Sequence, residues 1–208
     1  MERPQGGFAQ RLRQGTAAAH RHAESGAFVK GLMDGTVSRA VYGRFVHGLH
    51  TVYQSLERGL RTHRDDPRVG PLVFAEVERV GALAADAAFY GVEPGAAPLL
   101  EARTYGQHLD ELTATAPHRL VAHAYTRTLG DLSGGQMLRR CLERAFGLTG
   151  SGGVAFYVFE QLADVDAFKH RYRATLDALP LSGQEQADVV EEAVRAFELN
   201  AAIMRALG

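Results

Sequence analysis

His20 and Glu24 stand four residues apart in Ala17-Ala18-Ala19-His20-Arg21-His22-Ala23-Glu24. On a helix that spacing puts both side chains on one face, with the carboxylate in reach of one imidazole nitrogen. A carboxylate orienting the far nitrogen is the usual support of a metal-bound histidine. The alanines around His20 leave room for a large ligand. A surface i, i+4 contact is the commoner reading of such a pair, and the spacing alone does not exclude it. The other histidines read as less chemical. His63, His108 and His118 lie among polar residues and are expected to be solvated, and His47 and His50 belong to the surface or core of a long helix.

A second stretch carries chemistry of another kind. Tyr125-Thr126-Arg127-Thr128-Leu129-Gly130-Asp131-Leu132-Ser133-Gly134-Gly135-Gln136-Met137 has helical apolar spacing but three glycines in six residues. Each interior glycine costs a helix about 0.5–1 kcal/mol relative to alanine. The glycines predict a bend or a close approach to the backbone. Thr126, Gly130, Gly134 and Met137 fall on one nearly flat face, with the i, i+4 pair Arg127 and Asp131 beside it. A flat ligand and tight helix–helix packing account for that face equally well.

Only His20 looks like a ligand, and the single Cys141 rules out a cysteine-based metal cluster. A protein-only zinc cage needs three or four ligands. One axial histidine is enough when a macrocycle supplies the rest, as in haem. Haem also needs a flat slot and cations for its propionates. Lys169 and Arg173 form an i, i+4 cationic pair that Arg13 could join, although a solvated helix face is the commoner reading of such a pair.

The elements that must position these residues are all helical. Periodicity predicts helices over Phe8 to about His22, Ala27 to about Met33, and Arg39 to about Arg61 with Ser38 as N-cap. Further helices are expected over Leu72 to Tyr90 and over Pro98 to about Ala114. A bent helix should run from His118 to Phe146, and two more cover Asp164 to Leu179 and Ser182 to Leu207. Met1 to Gly7 reads as a loose tail, and Ala155 to Phe159 as a short apolar connector. No sustained alternation marks a strand. The fold class is all-α, one domain over residues 1–208 with roughly eight helices.

The chain has 208 residues, 46% of them hydrophobic, and a net charge of -1. That balance argues against nucleic acid as the main partner. No signal peptide or membrane segment is apparent, and one cysteine suits a reducing compartment, so a soluble cytoplasmic protein is expected.

The stretch from Tyr125 to Gln136 closely resembles the distal-helix segment of the haem oxygenase family. In register with it, His20 to Glu24 resembles the family's proximal-ligand segment. Tyr53 with Leu56-Glu57, Tyr105, Phe168 to Arg173, and Ala196 to Asn200 resemble further family blocks. The similarity runs from about Leu12 to Leu207.

The resemblance implies haem held between a proximal and a kinked distal helix. His20 would be the axial ligand to iron, supported by Glu24. Gly130 and Gly134 would let the distal helix lie on the haem, with Ser133 and Phe197 among its contacts. Asp131 would organise a water network with Arg127, Tyr53, Tyr105 and Asn200. Arg13, Tyr125, Lys169 and Arg173 would handle the propionate edge. Animal members carry a lysine three residues before the proximal histidine, where this chain has Ala17, which puts strict regiochemistry in doubt.

The implied activity is oxidative opening of haem b, both cofactor and substrate, at the α-meso carbon. O2 and reducing equivalents are consumed, and biliverdin, CO and ferrous iron are released. A ferredoxin or flavoprotein reductase would donate electrons, docking on a basic face to which Arg139 and Arg140 could belong. A monomer is expected. A haem carrier or sensor is the main alternative, and a similar helical domain acting on another small molecule is the second.

Overall fold

The computed structural model describes residues 6–208. Of the expected tail, Met1–Gln5 lie outside the described residues, and Gly7 already caps the first helix. Nine α-helices and no strand are found among the described residues: α1 (Phe8–Glu24), α2 (Ala27–Asp34), α3 (Arg39–Thr62), α4 (Val80–Phe89), α5 (Leu100–Thr115), α6 (Leu120–Asp131), α7 (Gly134–Phe146), α8 (Val165–Ala178) and α9 (Gly183–Arg205).

The periodic apolar face of α3 is the spine of the larger core. Tyr42, Val46, Leu49 and Val52 are buried there with Leu109 of α5 and Ile203 of α9. A second core joins Phe8 and Leu12 of α1, Phe168, Tyr172 and Leu176 of α8, and Val189 of α9. Each such side chain contributes about 1.5–3 kcal/mol when fully buried. Helix α6 serves both cores, giving Leu120 to one and Val121 and Ala122 to the other. Its position is therefore fixed from two sides.

Two expectations need correction. The helix expected over Leu72 to Tyr90 is replaced by 3-10 turns at Gly70–Leu72 and Ala75–Val77, and only then α4. Pro71 lacks an amide donor, and Val73, Phe74 and Glu78 take extended backbone angles. The buried Glu57 carboxylate then accepts from the amides of Arg79 at 2.5 Å and Val80 at 3.2 Å, fixing where α4 begins. The bent helix expected from His118 to Phe146 is two helices, α6 and α7. Pro117 starts a 3-10 turn ahead of α6, and the chain breaks at Ser133, with φ −115° and ψ −86°.

The histidine readings also change. His63 is half-buried, with Nε2 2.8 Å from the Thr113 carbonyl. His108 and His118 are 11% and 14% exposed and face Glu192 and Asp188. Packing against α9 covers both rings, and Arg119, next to His118, turns to the same Asp188.

Helix α9 begins with a capping box. Ser182 accepts from the Glu185 amide at 3.2 Å, and Glu185 accepts from the Ser182 amide at 2.8 Å. Arg68 reaches the same carboxylate at 2.9 Å. The Ser182 amide, its hydroxyl and Arg68 pull Glu185 from 4.5 down to about 2. A depressed carboxylate stabilises the fold fully above its ordinary value and loses that contribution as pH falls through the folded value. Glu185→Gln should therefore lower the melting temperature at neutral pH. The gap to the parent should close as pH falls from about 4.5 toward 2, as thermal melts across that range will show.

Candidate functional site

Asp131 is the last residue of α6, and the break that follows leaves its carboxylate inside the bundle, 5% exposed. The Tyr53 hydroxyl, from α3, donates to Asp131 Oδ2. Arg127, one turn earlier on α6, places Nη2 3.4 Å from Oδ1. The other Arg127 nitrogen, Nη1, donates to Oδ1 of the buried Asn200 on α9. Burial pushes the Asp131 carboxyl above its ordinary range, opposed by Arg127, Tyr53 and Arg79. Burial alone would weaken the charge on Arg127, but Asp131 and the surrounding phenols outweigh it and hold the guanidinium charged.

Four of the five residues expected in this network are thus joined by direct contacts. Tyr105 is placed differently. Its hydroxyl is 2.8 Å from Nδ1 of the fully buried His123, so its direct partner is not Asp131. A cavity of about 30 Å³ borders Tyr53, Glu57, Arg127 and Thr128. It is roomy enough for water. Arg127 Nε is buried with no protein partner, which fits water in this network.

The three glycines separate into two kinds. A Cβ at Gly135 would lie 2.9 Å from the Tyr157 ring, so Gly135 is there for packing. A Cβ at Gly130 or Gly134 would meet nothing within 4 Å. Packing does not account for those two, and open space over bare backbone is what a flat ligand needs. Because the helix breaks at Ser133, Thr126 and Met137 do not extend one continuous face. Thr126 is buried, and its hydroxyl donates to Ala122 O at 2.8 Å, while Met137 is 46% exposed.

Tyr157 was not singled out from sequence, yet it braces the break. Gln136 Nε2 donates to its carbonyl at 2.9 Å. The buried Asp86 anchors the same segment, accepting from the amides of Ala155 at 2.9 Å and Phe156 at 2.8 Å. Arg79, also missed, donates to Val158 O at 2.6 Å and lies over the Phe159 ring at 4.1 Å. An aromatic run and one aspartate carry no local sign of this bracing.

On α1, His20 Nδ1 is 3.3 Å from Glu24 Oε2, with side chains 48% and 60% exposed. Glu24 engages Nδ1, which leaves Nε2 to face a ligand. The Phe197 ring of α9 meets the imidazole edge-on at 5.4 Å between centroids. Tyr125 of α6 is within reach of Thr16 of α1, with Arg13 and Arg173 in its field. Its burial raises the phenol and those three neighbours lower it. From that contact His20 lies one turn further along α1, and Gly130 about a turn and a half along α6. Lys169, one turn before Arg173, reaches Asp166 at 2.7 Å. Ser133 is exposed at the break.

The profile of the family described as Heme oxygenase matches residues 6–206. Heme oxygenase of Rhodella violacea is 38% identical over 203 residues, covering 96% of this chain and 86% of that protein. The crystal structure of heme oxygenase-1 from Synechocystis sp. PCC 6803 in complex with heme superimposes with a TM-score of 0.93 at 35% identity, over 97% of this chain and 92% of that one. The structure of heme oxygenase from Leptospira interrogans gives a TM-score of 0.92 at 33% identity, over 97% of this chain and all of that one. The likeness runs through both the α1 segment around His20 and the broken α6–α7 pair, and on it this chain belongs to the haem oxygenase family.

Proposed function

We propose that this chain, as one domain, opens haem b at the α-meso carbon, consuming O2 and reducing equivalents and releasing biliverdin, CO and ferrous iron. The observation that carries the reading is the bare, open backbone at Gly130 and Gly134 next to the buried Asp131–Arg127–Tyr53 network. A simple carrier needs the first feature and His20, but has no use for a buried carboxylate held beside the pocket.

When bound, haem supplies the iron at which O2 is reduced and the ring carbon that is oxidised. The chain's own residues do the rest. His20 Nε2 would hold the iron, with Glu24 orienting the imidazole through Nδ1. A neutral imidazole lacks the electron push of a thiolate, which suits attack on the ring. The face that would lie against the haem is formed by Gly130, Ser133 and Gly134, none of which is an acid. Protons therefore come through ordered water held by the Asp131 carboxylate beside the small cavity that borders Tyr53 and Arg127. Arg127, tied to Asn200, keeps that carboxylate aimed.

Arg13 and Arg173, in whose field Tyr125 lies, would with Tyr125 and Lys169 hold the propionates and so set the rotation of the ring. Arg13 stands one turn before Ala17 on α1 and supplies a cation on that side. An electron donor such as a ferredoxin or flavoprotein reductase would dock near the open edge. Of the two arginines of α7, Arg140 is exposed, whereas Arg139 is paired with Glu143 at 2.7 Å. No helix among the described residues is long and apolar enough to cross a membrane. A cytoplasmic monomer fits this reading.

Haemin added with a reductant in air should give an absorption band that decays to a biliverdin spectrum, whereas a stable band selects the carrier. His20→Ala should lose the histidine-ligated spectrum and turnover together, and unchanged absorption with full biliverdin yield would remove His20 from its role. Asp131→Ala should keep haem binding but slow biliverdin formation by about 10²–10⁴-fold, the usual worth of a placed acid–base group. Asp131→Asn, closer in shape, should be similarly slow, and normal turnover in a folded Asn variant contradicts the proton-delivery role.

A further inference from the structure

Behind the distal network lies a second polar cluster that the proposed reaction does not use directly. His108 of α5, His123 of α6 and Glu192 of α9 converge inside the bundle, with side chains 11%, 0% and 1% exposed. Both imidazoles present Nε2 to one oxygen. His108 Nε2 is 2.6 Å and His123 Nε2 3.1 Å from Glu192 Oε1. The three atoms lie within 4.8 Å of one another.

We infer that His108, His123 and Glu192 form a binding site for a divalent zinc-class cation, pinning α5, α6 and α9 together behind the distal helix. Zinc binds imidazole nitrogen and carboxylate oxygen at about 2.0–2.2 Å, so tetrahedral ligand atoms stand about 3.3–3.6 Å apart. At 2.6 and 3.1 Å the two Nε2–Oε1 contacts are hydrogen bonds shorter than that, so Glu192 Oε1 has to draw back from both rings to admit the ion. Two imidazoles with one carboxylate select zinc and its transition-metal neighbours over the oxygen-preferring calcium and magnesium.

Supporting contacts are also in place. His123 Nδ1 faces the Tyr105 hydroxyl at 2.8 Å. When Nε2 gives its lone pair to the cation, the imidazole proton moves to Nδ1 and is donated to Tyr105. Glu192 uses Oε1 toward the histidines, and Oε2 faces Arg119 Nη1 at 3.4 Å. Burial raises the Glu192 carboxyl, but His108 and His123 outweigh it and keep the group ionised. The fourth coordination position is left for water.

The placement has a consequence for the site in front. His123 is one turn before Arg127 on α6, and Glu192 is two turns before Asn200 on α9. The two helices already joined by Arg127 and Asn200 would gain a second, metal-mediated link. Zinc bound here stiffens the frame of the distal network without touching haem.

The test uses the full-length, untagged protein without haem, so its outcome is separate from that of the haem reading. One equivalent of Co2+ should give the visible d–d absorption of a four- or five-coordinate complex. Zn2+ should bleach it and raise the melting temperature. His108→Ala and Glu192→Gln should each weaken Zn2+ binding by more than the roughly 10–100-fold that loss of a supporting partner costs. His22→Ala, at an exposed histidine, should leave binding unchanged. Zinc-induced shifts of the His108 and His123 ring nitrogens in the unsubstituted protein report the same site without any variant having to fold. No absorption and no thermal shift, or equal binding in the parent, His108→Ala and Glu192→Gln, would overturn the inference.

Discussion

The site depends on keeping a charged guanidinium and a carboxylate out of water at the end of α6. Removing ions from water costs several kcal/mol each, and a pair at 3.4 Å recovers that only with further hydrogen bonds. Tyr53 supplies one to Asp131 and Asn200 one to Arg127. Such a pair is a poor way to stabilise a helix bundle. Losing one partner would leave the other charge stranded, at about 3–5 kcal/mol. The rest of the architecture reads as the means of holding that pair still. Helix α6 is wedged between two apolar cores, α3 presents Tyr53, and α9 presents Asn200.

The break after Asp131 divides the work of the glycines. Gly135 closes against Tyr157, which Asp86 and Gln136 hold in place. Gly130 and Gly134 stay bare over open space. The same few residues therefore brace the helix from behind and leave its front clear. His20 completes the arrangement from α1, its imidazole fixed by Glu24 on one nitrogen and by Phe197 against the ring edge.

The helical periods of α3, α5, α8 and α9 were plain in the sequence, because each carries a regular apolar face. So was the oddity of the glycine stretch, since nothing in a plain helix rewards three glycines. The long helix expected from Leu72 was not to be had from local pattern. What decides it is Glu57, distant in sequence, whose carboxylate takes the amides of Arg79 and Val80. His108 and His118 misled for a related reason. Their sequence neighbours are polar, but only the packing of α9, with Asp188 and Glu192, shows what covers the rings. The direct partner of Tyr105 was hidden likewise, because His123 stands on another helix, 18 residues further along the chain. The spacing around Gly130 fitted packing and a ligand equally, and the open space in front of it removes the packing reason.

That space allows one decisive comparison. Gly130→Leu adds a good helix former where a Cβ meets nothing within 4 Å, so the fold gains about 0.5–1 kcal/mol from propensity or is left unchanged. The melting temperature and a haemin titration of this variant should be measured side by side with the parent. The account predicts an equal or higher melting temperature together with loss of the haem absorption band. A variant that binds and turns over haemin as the parent does would contradict the claim that Gly130 is kept bare for haem.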